Sequence, residues 1–202
     1  VTAHPSLPGR LAETSVADTD ESWPVAGVET VYDSPYVGLT VDTIVDPSGG
    51  EHSRAVVRPN GAVAVVAIDD ADRLLLVEQY RHPTGRRLLE LPAGTLDVPG
   101  EEPQDAAARE LAEEADVVAS TWSPLLHLQM TPGYSTERIE VFVAGGLTPV
   151  AEEDRTAREA EEAHMAQWWL PFADAVTAVL DGRIADAKTV SAILAVQALR
   201  SR

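Results

Sequence analysis

The sequence has no cysteine, and only one of its fifteen cations, Lys188, is a lysine. Without cysteine there is neither a disulfide framework nor a thiol nucleophile. The lysine scarcity reads as composition rather than chemistry. No apolar run approaches the roughly 18–20 residues that cross a bilayer, and residues 1–24 lack the apolar centre of a signal peptide. The expectation is a cytoplasmic protein. Positive charge is short as well: fifteen Lys and Arg face 33 Asp and Glu, a formal net charge of −18. Such a chain repels nucleic-acid backbones and anionic membranes, so neither is expected as a partner. A small anionic substrate remains compatible, because a bound cation inverts the local sign.

What is present is ordinary for a globular protein: 202 residues, 45% hydrophobic and 24% charged. That length buries one sizeable core and leaves little room for a second full domain. Three segments follow from the pattern. Residues 1–24 are polar and rich in Pro and acid, which predicts a disordered or loosely attached tail. Residues 25–60 carry VETVY, VGLTVDTIV and HSRAVV between DSP and PSGG turns, a small antiparallel sheet. Residues 61–202 form the main domain. It opens on AVAVVAI and RLLLVEQY, which read as buried strands. A helix is expected from Pro103 to about Ala115, with proline in its first turn. Strands are expected at Ser123–Met130, Arg138–Ala144 and MAQWWL, with helices at Phe172–Leu180 and Val190–Leu199. Residues 150–164 are an acidic connecting segment. In MAQWWL, Trp168 and Trp169 point to opposite faces of a strand, so one of them is expected in the core. His127 and His164 have no partner at ligand spacing and read as structural or exposed. The fold class is α/β (α+β) in layers around one core.

The acidic helix carries the chemistry. With Ala107 at zero and about 100° per residue, Leu111, Ala115 and Ala108 fall within about 100°, while Glu114, Glu110 and Glu113 fall near 340°, 300° and 240°. Three carboxylates thus share one flank, with Glu110 and Glu114 stacked one turn apart. Like charges at that spacing weaken a helix. The nearby cation, Arg109, is placed to pair with Glu113. Hard divalent cations such as Mg²⁺ take carboxylate oxygens together with water. The turn at Ala93–Gly94 is placed to add a backbone carbonyl.

The stretch Gly94, Glu101, Arg109, Glu110, Leu111, Glu113, Glu114, Asp116, Val117 resembles the Nudix box of the Nudix hydrolase superfamily. Two departures stand out. Six residues rather than five separate Gly94 from Glu101, and Asp116 occupies the position of a glycine that serves a left-handed cap. Neither removes a carboxylate, so an altered turn rather than a dead site is expected. EQYRHPTGRRLLELPAG before the box and Pro132 after it, in a chain similar from about residue 27 to residue 200, are similar to the ADP-ribose pyrophosphatase branch.

That resemblance implies a Nudix-type α/β/α sandwich with a mixed sheet, plus the small N-terminal antiparallel sheet, which in the family crosses to a partner and makes a homodimer. It implies Mg²⁺, with Mn²⁺ as a substitute, held by Glu110, Glu114 and the Ala93 carbonyl, with Glu113 assisting as a ligand through water and so also counted with the catalytic group. It implies hydrolysis of ADP-ribose to AMP and ribose 5-phosphate. The general base is expected in the segment REAEEAHM, at Glu161 first and Glu162 second. Arg81 and, with less claim, Arg54 are candidates for the phosphates. Tyr36, followed by Trp23, is a candidate adenine platform, and Pro132 borders the substrate. Glu90 either supports the box from behind or ends a strand. Two other readings stay open: another nucleoside diphosphate sugar as substrate, and a sensor that binds ADP-ribose without cleaving it.

Overall fold

The computed structural model describes residues 2–12, 16–158 and 162–202, and the side chains of all of these except 2, 3 and 162. Near the N-terminus, β1 (Thr2–Ala3) and β2 (Arg10–Leu11) pair as a two-residue antiparallel ladder, where the sequence suggested no structure. Next come β3 (Val25–Asp33), β4 (Val37–Val45) and β5 (Glu51–Pro59), an antiparallel sheet in the order β3-β4-β5. Every residue of β3 is exposed in the single chain. This sheet is joined to the rest by Val57, whose amide donates to the Tyr134 carbonyl (2.8 Å) and whose carbonyl accepts from the Thr136 amide (3.0 Å).

The chain continues with β6 (Ala62–Ala67) and β7 (Arg73–Arg81), followed by β8 (Arg86–Glu90), β9 (Ala93–Thr95) and α1 (Pro103–Ala115). Then come β10 (Val117–Gln129), β11 (Arg138–Pro149), β12 (Ala166–Pro171), α2 (Phe172–Leu180) and α3 (Ala187–Arg200). One sheet runs β10-β11-β6-β9, and it is mixed because β11 and β6 are parallel while the other pairs are antiparallel. A second, antiparallel sheet runs β12-β7-β8.

Alternation along β6 and β7 makes the layers. Val63, Val65, Ala67 and Leu75 pack with Ala106, Ala107, Leu111 and Ala115 of α1. Their neighbours Ala64, Val66, Leu74 and Leu76 turn the other way and pack with Phe172, Ala175, Ala192 and Ile193 of α2 and α3. Strand side chains alternate in direction, so one buried strand serves both helical layers. The result is the expected α/β/α sandwich.

Three expectations need correction. β10 starts at Val117 rather than Ser123 and β11 runs on to Pro149, because the antiparallel pairing extends from Gln129↔Arg138 to Val117↔Pro149. The last helix begins at Ala187, where the Asp186 side chain accepts from the Thr189 amide (3.0 Å) and caps it. Neither Trp168 nor Trp169 is in the core: they are 53% and 39% exposed. Their rings do take opposite faces, but β12 is an edge strand, and Trp169 lines a cleft with Arg73 and Asp116 while Trp168 lines a groove with Leu76 and Leu89.

Candidate active site

The site is built where α1 lies along β9. Flanking bonds from the Val65 amide to the Pro92 carbonyl (2.9 Å) and from the Leu96 amide to the Gly61 carbonyl (2.7 Å) make Val63/Gly94 the hydrogen-bonded pair between them. Ala93 is therefore at a non-bonded position, and its amide and carbonyl both face away from β6. The amide donates to Glu114 Oε2 at 2.8 Å. Glu114 is only 5% exposed.

Gly94 is required by close approach. A Cβ built on it would lie 1.9 Å from Glu110 Cδ and 2.1 Å from Oε1. The Glu110 carboxylate thus rests directly against the β9 backbone. Glu110 and Glu114 are brought together at this edge, as the helical spacing predicted. The buried sector of α1 is rotated from that reading, however. Ala106, Ala107, Leu111, Glu114 and Ala115 are its buried residues, so Glu114 lies within the core-facing arc rather than beside it.

Arg109 ties the carboxylates to one another. It forks onto Glu101 (3.1 and 3.0 Å) and also donates to Glu110 Oε1 (2.7 Å) and Glu113 Oε2 (3.1 Å). The bond to Arg109 holds the Glu101 carboxyl below its usual range. The Arg109 guanidinium is pushed further above its ordinary value, first by the bond to Glu101 and then by the charge of Glu110. Arg109 is thus committed to holding acids in place. Glu113 is the most solvent-exposed of the helix carboxylates paired with it.

These residues fit a hard divalent cation. Among the described residues no group of three or more His, Asp or Glu is gathered as a self-sufficient metal cage. Mg²⁺ does not need one: it is usually held by one or two carboxylates, with water and substrate phosphate completing its shell. Glu110, Glu114 and the Ala93 carbonyl are an all-oxygen set of that kind. A carboxylate has about four lone-pair sites, so accepting a bond from Arg109 or Ala93 does not exhaust it.

Behind β9 lies a network that the sequence reading largely missed. Arg81 at the end of β7 forks onto Glu90 at the end of β8, with both bonds at 2.8 Å. Glu90, 2% exposed, also accepts from the Lys188 ammonium, which is 6% exposed. Lys188 pairs with Asp186 at 3.1 Å, and Thr189 Oγ1 donates to Asp186 (2.7 Å) while accepting from the Leu91 amide (2.9 Å). The start of α3 thereby anchors the chain two residues before Ala93. Burial acts on Glu90 most strongly and raises its pKa, but Arg81 and Lys188 together outweigh it and the net shift is downward. Arg81 is raised, first by the bond to Glu90, with smaller contributions from the charges of Glu114 and Asp186. Glu90 ends β8, and its bonds run to Arg81 and Lys188. Lys188 precedes the helix expected from Val190 and falls inside the observed one, which begins at Ala187.

Arg54 is exposed on β5 and donates to the Ser53 carbonyl at 2.9 Å. Tyr36 is exposed in the turn between β3 and β4, and Trp23 is exposed with its indole N–H donating to Glu21 (2.7 Å). Pro132 is exposed in the turn that the Tyr134 and Ser135 amides close onto the Thr131 carbonyl (3.1 and 2.9 Å). Glu161 lies outside the described residues. Glu162 opens the short 3-10 turn Glu162–His164, and its side chain lies outside them too. His127 and His164 are exposed, as expected.

Known proteins resemble this chain over most of its length. A sequence model of the NUDIX domain matches residues 58–193, starting on β5. The chain is 45% identical over 171 residues to an ADP-ribose pyrophosphatase of Mycobacterium tuberculosis, covering 85% of this chain and 81% of that one. It is 34% identical over 165 residues to the methanol dehydrogenase activator of Bacillus methanolicus, covering 82% and 87%. A crystal structure of an ADP compounds hydrolase superposes with a TM-score of 0.76 at 27% identity, covering 91% of this chain and 96% of that one. The glycine under Glu110, the carboxylate on the Ala93 amide and a domain match over more than half its length place the chain in the NUDIX domain family.

Proposed function

We propose that this chain hydrolyses ADP-ribose to AMP and ribose 5-phosphate, with a divalent cation, magnesium, as cofactor and manganese as its substitute. The observation that carries the reading is the pairing of two helix carboxylates with one strand edge: Glu110 rests on Gly94, and Glu114 takes the Ala93 amide. The 45% identity to an ADP-ribose pyrophosphatase supports the substrate.

In this reading Glu110, Glu114 and the Ala93 carbonyl hold the cation, and Glu113 assists through water. When bound, the cation neutralises diphosphate charge and makes water a better nucleophile. Arg109 keeps Glu101, Glu110 and Glu113 from repelling one another before any cation arrives. Arg81 gives two of its five N–H donors to Glu90, and the others are assigned to the substrate phosphates. Water adds to one phosphorus, the bridging P–O bond breaks, and Glu161, with Glu162 as the alternative, takes the proton from that water. Arg54, Tyr36 and Pro132 are assigned to the phosphates, adenine and substrate border, with Tyr36 supplied by a partner subunit.

The partner belongs to the same proposal. β3 carries exposed Val25, Val28, Val31 and Tyr32, an apolar strand that nothing among the described residues covers. A homodimer through the N-terminal sheet covers it. A cytoplasmic location is likewise proposed and is checked by cell fractionation. The test of function is a panel of nucleoside diphosphate sugars assayed with Mg²⁺, with and without chelator. ADP-ribose should rank among the best by kcat/KM, and chelator should abolish turnover. A clear preference for GDP-mannose or UDP-glucose, or tight ADP-ribose binding without AMP release, overturns the assignment.

A further inference from the structure

The box departs from its pattern at Asp116, and the structure gives that departure a partner. Asp116 is the C-cap of α1 with φ 53° and ψ 35°, a left-handed conformation that glycine adopts most easily. Its amide caps the Ala112 and Leu111 carbonyls, as a glycine would. Its side chain does what a glycine cannot: Oδ2 accepts from Arg158 Nη2 at 2.6 Å. The same guanidinium donates through Nε to the Glu113 carbonyl at 2.9 Å.

That carbonyl is one of the last four of α1, which have no partner inside the helix. The last turn of α1 contains no basic residue. Arg158, forty-two positions after Asp116, supplies the cation that the helix C-terminus favours. Gln167 of β12 donates to the next carbonyl, Glu114, at 3.3 Å. The Asp116 carbonyl accepts from the Val150 amide at 2.9 Å. Beyond Arg158, the His164 carbonyl accepts from Arg87 Nη2 at 2.5 Å.

We propose that Asp116 and Arg158 form a latch that fixes the acidic connection before β12 to the end of the carboxylate helix. Both are positioning residues: neither touches the reacting atoms. The latch rests on the function proposed above, because the residues assigned to proton transfer follow Arg158 within four positions. Arg158 reads the helix from its end: one donor takes the carbonyl of Glu113, and another takes a side chain that only this version of the box provides. Holding Arg158 to the helix that carries Glu110 and Glu114 sets where the following chain departs relative to those two carboxylates.

The test compares Asp116→Gly, Arg158→Gln and the double variant with the wild type. Glycine suits the left-handed cap, so Asp116→Gly should melt at the wild-type temperature or above it. Its kcat on ADP-ribose with Mg²⁺ should nevertheless fall about tenfold, with KM changed less than about twofold, as for a small misplacement near the chemistry. Arg158→Gln should lose a similar factor, and the double variant should lose no more than Arg158→Gln alone. Limited trypsin digestion of metal-free protein gives a readout independent of turnover: cleavage after Arg155 should be about tenfold faster in Asp116→Gly, while cleavage within α1 stays unchanged. Wild-type cleavage after Arg155, additive losses in the double variant, or kcat and melting temperature falling together would each overturn the latch. A wild-type enzyme inert toward ADP-ribose would refute the function instead and leave proteolysis to decide the latch.

Discussion

Glycine at position 94 is set by what approaches it. A methyl group there must displace the Glu110 carboxylate, which is the movable end of a flexible side chain. Gly94→Ala should therefore change stability by less than about 1 kcal/mol, since alanine suits a strand better than glycine. It should cost kcat about tenfold or more by moving a charged group off its position. Thermal melts alongside steady-state kinetics separate the two effects. Glu110→Gln and Glu114→Gln should each lower kcat by at least about 10²-fold while circular dichroism stays native. A rate near wild type in either removes the proposed roles. Gly94 was legible in the sequence as a box position. Its contact with Glu110 was not, because the spacing along a turn does not say which helix face the strand will meet.

At the scale of elements, α1 was legible end to end: proline opens it, the apolar residues recur at helical spacing, and Asp116 closes it. Its rotation differs from the spacing alone because Ala106 is buried as deeply as Ala107, which shifts the covered arc onto Glu114. β10 is longer than its composition suggests because pairing with β11 extends it. The Arg81–Glu90–Lys188–Asp186 network was invisible for the same reason: Glu90 and Lys188 are 98 positions apart. That network has a pH signature. The carboxyl of Glu90 is held below its ordinary 4.5, so its stabilisation is complete above that pH and is lost as pH falls through the lower folded value. Glu90→Gln should destabilise the protein by about 3 kcal/mol at neutral pH, as expected when one member of a buried ion pair is removed. The gap from wild type should narrow as pH drops below about 4.5. Urea titrations at pH 7 and pH 4 measure it, and a gap that stays constant would show Glu90 to be uncharged in the folded protein.

At the scale of the molecule, the layered sandwich followed from the pattern of β6 and β7, while β3, exposed along its whole length, is the strand assigned to the proposed partner. Nine exposed strand residues, with Val25, Val28, Val31 and Tyr32 among them, predict a dimer in sedimentation at micromolar concentration. Val28→Glu with Val31→Glu should shift it to monomer without unfolding the main domain. Sedimentation of the wild type as a monomer would remove the proposed partner. The N-terminal sheet is also stitched, through Val57, to the turn that carries Pro132 and Tyr134. In the proposed dimer, pairing through that sheet also bears on this turn. Specific activity should therefore depend on how crowded the solution is: as the enzyme is diluted and pairs come apart, turnover per chain should sag, and an excess of catalytically dead chain should restore it.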